Sequence, residues 1–217
     1  MIKKKTRGNL IVISGPSGCG KGTICEKVLQ ENNNIMLSVS MTTRKPRAKE
    51  KDGVDYYFVS KEEFEKRIKD NKFLEFAKVH NDNYYGTPKD KVEEALEKGV
   101  DVILEIDIQG AKLVNELMKE GIFIFIMPPN MRELKRRLIA RNTETKEQIV
   151  ERFKKAYQEI NEVSKYNYIV INDDLELAVK KVESILLSER CRVDRIDDID
   201  LNNKEELLHE LLMEDFK

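Results

Sequence analysis

The chain has 217 residues, enough for one domain with a sizeable core or for one core carrying inserted lobes. Apolar residues make up 40% and charged residues 36%, the balance of a soluble globular protein with a heavily charged surface. A formal net charge of −1 supplies no global field for nucleic acid or membrane, and no apolar run approaches the roughly 20 residues that span a bilayer.

The basic start, Lys3-Lys4-Lys5 with Arg7, reads as a solvated terminus, and residues 10–13 are too short for a signal-peptide core. Residues 10–13 (LIVI) form an unbroken apolar run, the pattern of a buried parallel strand. Glycines punctuate residues 15–20, and residues 21–30 read as a helix. Residues 40–88 break the rhythm with tyrosines and short extended pieces at 56–59 and 73–79, as an inserted lobe does. A second strand is expected over 100–108 (VDVILEIDI), a helix over 109–118, and a third strand over 122–127, stopped by Pro128-Pro129. The arginine-rich stretch 132–152, interrupted by Asn142-Thr143-Glu144-Thr145, predicts two helices and a polar turn that act as a lid. Thr145 is placed to cap the second of them. A fourth strand falls at 168–171 and a one-faced apolar helix at 175–187. Strands alternating with helices predict an α/β fold with a central parallel sheet covered on both faces. After Arg192 the composition turns acidic and then leucine-rich, which describes either an amphipathic docking helix or a loose appendage.

Three cysteines, Cys19, Cys25 and Cys191, are odd in number and lack zinc-ligand spacing. A reducing compartment and, by elimination, the cytoplasm are expected. Cys19 lies inside the glycine-rich loop and is expected to be partly exposed and oxidisable.

Gly15-Pro16-Ser17-Gly18-Cys19-Gly20-Lys21-Gly22-Thr23 stands between a strand and a helix, the setting a phosphate-binding loop requires. Its glycines let successive backbone N–H groups converge on one anion, and the helix N-terminus adds positive partial charge. Lys21 supplies an ammonium that can follow a transferred phosphoryl group. These nine residues are the expected ATP site. Gly22 stands where the general motif has a Mg²⁺-ligating Ser or Thr, so water-mediated contacts are expected instead.

The stretch Ser38-Val-Ser-Met-Thr-Thr-Arg44-Lys-Pro-Arg47-Ala-Lys-Glu50-Lys-Asp-Gly53-Val-Asp-Tyr56-Tyr-Phe58 resembles the nucleotide-binding lobe of guanylate kinases. Further blocks match in order: Leu74-Glu75-Phe76-Ala77, Asn83-Tyr84-Tyr85-Gly86-Thr87, residues 104–110 and residues 171–175. The likeness covers about residues 8–190 and omits the tail. It implies a P-loop NTPase three-layer fold that transfers the γ-phosphoryl group of ATP to GMP with Mg²⁺. It also implies that Ser40, Arg44, Arg47, Tyr56, Glu75, Tyr85, Thr87 and Asp107 contact GMP, and Glu50 of the same block joins that expected set. Chemistry supports the assignment independently. Guanidinium forks suit phosphate oxygens, and tyrosine hydroxyls add donors. Glu75 can accept from guanine N1–H and N2–H₂ while the Ser40 hydroxyl donates to O6. Adenine reverses that polarity and would leave buried groups unpaired.

Arg137, Arg141 and Arg152 match the family's lid arginines; with Lys21 and Arg44 they form the expected catalytic set. Arg136 reads as a solvated or helix-paired cation. The resemblance sets Arg141 against the adenine near Asn172, and Glu105, at the carboxyl end of its strand, is expected to contact Mg²⁺ indirectly through water. Glu105 and Asp107 alternate with apolar residues and are expected on one strand face. No strong general base is required, because the acceptor is already a phosphate oxygen.

The expected organisation is a core of residues 1–39, 89–130 and 153–192, a GMP lobe of 40–88, a lid of 131–152 and a tail of 193–217. ATP and GMP are the expected partners, with no nucleic acid or membrane, and the tail is a candidate for homo-oligomer contacts. Two rival readings are a kinase for another nucleoside monophosphate and a silent protein-binding module of the same fold. Glu75 with Ser40 argues against the first. The intact loop and lid arginines argue against the second.

Overall fold

A computed structural model describes residues 7–79, 82–140 and 146–195. Nine strands and seven α-helices fall among these residues. The larger sheet runs in the order β2 (Ile35–Leu37), β7 (Asp101–Glu105), β1 (Leu10–Ser14), β8 (Ile122–Met127) and β9 (Tyr168–Ile171). Every neighbouring pair in it is parallel. The central strand β1 is buried throughout, and alternation along it builds a core on each face. Ile11 and Ile13 join Ile24, Cys25 and Val28 of α1 (Lys21–Glu31) and Val179, Val182 and Leu186 of α7 (Leu175–Glu189). Leu10 and Val12 face the other way, against Val92 and Leu96 of α3 (Lys89–Glu97) and Ala111 and Val114 of α4 (Ile108–Leu117). This is the two-sided α/β sheet that the alternating pattern predicts.

The smaller sheet has the order β4 (Tyr57–Phe58), β3 (Met41–Thr42), β6 (Asn83–Pro88) and β5 (Phe73–Val79). α2 (Lys61–Lys69) closes its inner face. The Ser60 hydroxyl caps this helix by accepting from Glu63 N–H. Phe64 of α2 then stacks on Phe73 and Tyr84, with ring centroids 4.3 and 5.2 Å apart. Helices α5 (Met131–Ala140) and α6 (Lys146–Ile160) pack on each other through Leu134, Leu138 and Ala156. Arg141 and Thr145 lie outside the described residues, as do His80 and the tail beyond Arg195.

The second strand is shorter than the sequence pattern suggests. It ends at Glu105, and Asp107 has left it to cap α4, its carboxylate accepting from Gly110 N–H at 2.9 Å. Glu105 and Asp107 therefore do not share a strand face. At the far end of the sheet a polar network fixes the chain after α7. Asp101, buried, accepts from Asn9 N–H and from the Arg190 guanidinium at 2.8 and 2.7 Å. Glu189, also buried, accepts from the Tyr168 hydroxyl and pairs with Arg192 and Arg195. Arg195 reaches on to Asn9 and to the Glu120 carbonyl. The ordered contacts thus run through Arg195, three residues past the change in composition.

Candidate active site

All five strands of the larger sheet run the same way, so the loops that follow them gather along one edge, where α/β sheets bind ligands. Residues 15–20 leave β1 there and enter α1. Gly15 has φ 145°, and a Cβ on it would lie 2.1 Å from the Ile126 carbonyl. Gly20 has φ 97°, and its Cβ would lie 2.3 Å from the Asn172 amide nitrogen. The loop is therefore pressed against the ends of β8 and β9, and only glycine fits at these two contacts.

The expected ATP residues assemble around this loop. Lys21 donates its ammonium to the Gly15 carbonyl at 2.6 Å and stands 3.4 Å from that of Pro16. Asn172 is buried; its side-chain amide donates to the Cys19 carbonyl at 2.8 Å. Arg137 of α5 adds bonds to the carbonyls of Cys19 at 3.3 Å and Asn172 at 3.0 Å. A single guanidinium thus ties α5 to the loop and to the residue after β9. Its direction is set by Glu133, one turn earlier, which accepts from Arg137 Nε at 2.8 Å. The guanidiniums of Arg136 and Arg137 pull the Glu133 carboxyl down to about 2. Arg136 is the helix-paired cation expected of it. Arg152 lies half-buried on α6.

Cys19 corrects the sequence reading. It is fully buried, and burial pushes its thiol up, with Lys21 opposing the effect only in part. Cys25 behind it is pushed up to about 12 by the same cause. Neither has the thiolate character or access that oxidation requires.

Glu105 is exposed at the end of β7. A Cβ on Gly22 would meet its two carboxylate oxygens at 3.5 and 3.6 Å. The residue that displaces the usual metal-ligating hydroxyl is thus the one over which this carboxylate lies. Among the described residues, no three His, Cys, Asp or Glu side chains gather into a cation cage. One carboxylate beside a phosphate loop fits a Mg²⁺ that arrives on phosphate oxygens and keeps several waters.

The small sheet brings a second group together. Arg44 forms a two-point bond with Glu50, NH1 to Oε2 at 2.9 Å and NH2 to Oε1 at 2.8 Å. Its Nε donates to the Tyr85 hydroxyl at 3.1 Å. The guanidinium carbon also stands 5.4 Å from the ring centre of Tyr56, which meets Tyr85 edge-on. Arg47 is exposed next to this cluster, and Ser40 is half-buried at the lobe's junction with the core.

A third group joins lobe to core. Glu75 on β5 accepts from the Thr87 hydroxyl at 2.6 Å. It packs on the first turn of α4, where a Cβ on Gly110 would come within 3.3 Å of its Oε2. Burial raises the Glu75 carboxyl above its ordinary range; the Thr87 hydrogen bond lowers it and the nearby Asp107 charge raises it. Glu75, Thr87 and Asp107, far apart in sequence, thus share one corner of the crevice.

Sequence reasoning passed over three groups here. Glu133 sets Arg137 and was legible as an i,i+4 partner. Glu159 of α6 is raised by burial and is influenced by Lys21, Asp107 and the Ser17 backbone N–H. Tyr166 is pushed up to about 12 by burial, and its hydroxyl and that of Ser14 are both buried beneath the loop. Neither Glu159 nor Tyr166 stands in a motif that would have marked it.

Comparison with known proteins gives one consistent result. A family model described as guanylate kinase matches residues 7–189. The guanylate kinase of Clostridium tetani is 63% identical over 206 residues, covering 95% of this chain and 98% of that one. That of Caldanaerobacter subterraneus subsp. tengcongensis is 56% identical over 202 residues, covering 93% and 98%. Among solved structures, the guanylate kinase of Anaplasma phagocytophilum superposes with a TM-score of 0.72 at 35% identity, covering 94% of this chain and 97% of that chain.

Proposed function

This chain belongs to the guanylate kinase family and is an ATP:GMP phosphotransferase, and we propose that it works through the three groups of residues assembled above. The observation that carries the assignment of parts is the position of Glu75. A half-buried carboxylate held by Thr87 on the first turn of α4 suits the two N–H donors of guanine, N1–H and N2–H₂. The Ser40 hydroxyl donates to O6. Arg44 and Arg47, with the hydroxyls of Tyr56 and Tyr85, take the GMP phosphate with Glu50 behind Arg44, while Thr87 and Asp107 stand with Glu75 on the base side.

ATP phosphates lie on the N–H groups of residues 15–23 and the N-terminus of α1. Asn172 stands by the adenine. Lys21 leaves the Gly15 carbonyl to follow the phosphoryl group in transit. Glu105 would hold Mg²⁺ through water, and the ion, arriving with ATP, would supply neutralisation of phosphate charge. Arg137, Arg141 and Arg152 bring cations over the phosphates and exclude water as the lid closes. The GMP phosphate oxygen attacks directly, so transfer rests on alignment and charge rather than on a base. Three unpaired cysteines suit a reducing, cytoplasmic setting, and no described helix is long and apolar enough to cross a membrane. The tail beyond Arg195 is a candidate oligomer contact.

The test is product balance. ATP·Mg²⁺ and GMP should yield ADP and GDP in equal amounts, and Lys21→Ala should lower kcat by roughly 100-fold or more with GMP binding little changed. ADP formed without GDP would refute the transfer.

A further inference from the structure

Arg44 presents five N–H hydrogens in a fixed fork. Four have acceptors in the structure. Nε–H goes to Tyr85 Oη, one NH1 hydrogen to the Lys45 carbonyl at 2.8 Å, the other to Glu50 Oε2, and one NH2 hydrogen to Glu50 Oε1. Among the described residues, one NH2 hydrogen is left. Glu50 does more than pair with this guanidinium. Its Oε2 also accepts from Arg47 N–H at 2.7 Å, while its own N–H donates to the Arg47 carbonyl at 3.0 Å. One carboxylate therefore sets the side chain of the first arginine and the backbone of the second. The pair is well shielded, with side chains 16% and 18% exposed, and the bond to Arg44 holds the Glu50 carboxyl below its usual range.

The direction of the next bond matters. The Tyr85 oxygen accepts from Arg44 Nε, so its own O–H hydrogen points elsewhere and has no acceptor among the described residues. The chain Glu50–Arg44–Tyr85 thus ends on a phenolic donor beside a single guanidinium donor. Both suit a ligand that only accepts, which a dianionic phosphate does.

We propose that Glu50 is a positioning residue that fixes Arg44 and, through it, turns the Tyr85 hydroxyl into a donor for the GMP phosphate, without itself touching the nucleotide. The inference rests on the reading of this lobe as the GMP site. It differs from a simple contact role and from a competitor role, in which Glu50 would be an internal anion displaced by the phosphate.

Steady-state kinetics on the full chain separate these cases. Glu50→Gln keeps the shape but sets an amide NH₂ against guanidinium donors. Its KM for GMP should rise roughly 10- to 100-fold, the loss of about one charge-assisted hydrogen bond, with the KM for ATP unchanged. Tyr85→Phe should raise the same constant, and the double variant should fall well short of the product of the two, because the effects share one chain. Guanosine, which lacks the phosphate, should bind wild type and Glu50→Gln equally. A lower KM for GMP in Glu50→Gln would show displacement and overturn the proposal. So would multiplicative effects, an equal rise in the KM for ATP, or weakened guanosine binding. If Glu50→Gln does not fold, Tyr85→Phe alone decides: its guanosine affinity must stay at the wild-type value while its KM for GMP rises, and any other pattern refutes the chain. Wild-type protein inert toward GMP would instead refute the site reading on which the inference stands.

Discussion

Glu75→Gln is expected to move base recognition and stability in opposite directions. Thr87 occupies one carboxylate oxygen at 2.6 Å, and the first turn of α4 packs against the other. The side chain has little room to retreat, so water cannot easily replace a lost partner. Glutamine keeps the volume and can still accept from Thr87, but its NH₂ then meets the donors of guanine. Hydrogen bonds to a charged group contribute about 1.5–3 kcal/mol each, so kcat/KM for GMP should fall roughly 10- to 100-fold for the loss of one. Stability should move the other way. Burial raises the folded carboxyl above its unfolded value, so between the two values the native state binds more protons than the unfolded chain. The charged carboxylate therefore costs stability at neutral pH, and that cost fades as pH falls through the raised folded value. Glu75→Gln should melt higher than wild type at pH 7.5, and the gap should close near pH 4. Coupled ADP-release kinetics with varied GMP and ATP, and thermal melts at both pH values, make the comparison. A KM for GMP within threefold of wild type, an equal rise in the KM for ATP, or a lower melting temperature at pH 7.5 would each refute the reasoning.

Three other perturbations test the scaffold around the site. Gly15→Ala places a Cβ 2.1 Å from the Ile126 carbonyl at a φ of 145°, so it should both lower the melting temperature and abolish ATP binding, read by melting with and without ATP. A chain ending at Arg195 should retain wild-type turnover and stability. One ending at Arg192 loses the partner 2.9 Å from buried Glu189 and should be destabilised by about 3 kcal/mol, or roughly 6–12 °C in melting temperature. Thiol reagents at pH 8 should label one fast cysteine per native chain, the exposed Cys191, and reach Cys19 and Cys25 only on unfolding. Rapid labelling of Cys19 would show the loop to be open.

The phosphate loop was legible because its signal is local: an apolar strand, four glycines and a lysine within fourteen residues. Its burial was not. Cys19 packs into a cluster with Ile126 and Val170, and its carbonyl is bonded by Arg137 and Asn172, all far along the chain and announced by no periodicity near Cys19. β2 was missed because Ile35-Met36-Leu37 is an apolar run of only three residues between Asn34 and Ser38, too short to mark a strand. β6 was read as a motif rather than a strand because it contains Gly86 and ends on Pro88. Asp107 was placed on a strand face from alternation alone, whereas an aspartate three residues before Gly110 N–H can equally cap a helix. The resemblance named Arg44 and Tyr85 as site residues, and Glu50 joined them from the same block. Only the coordinates supply the directions of their hydrogen bonds, and those directions separate a contact from a positioning role.

The most direct test of the whole account is a coupled assay of ADP release from ATP·Mg²⁺, with GMP, AMP, CMP and UMP offered in parallel. The arrangement of Glu75 and Ser40 predicts turnover with GMP and, for AMP, a kcat/KM lower by about 10⁴-fold. AMP turned over as well as GMP would contradict the base-reading corner, and no turnover with any acceptor would contradict the kinase itself.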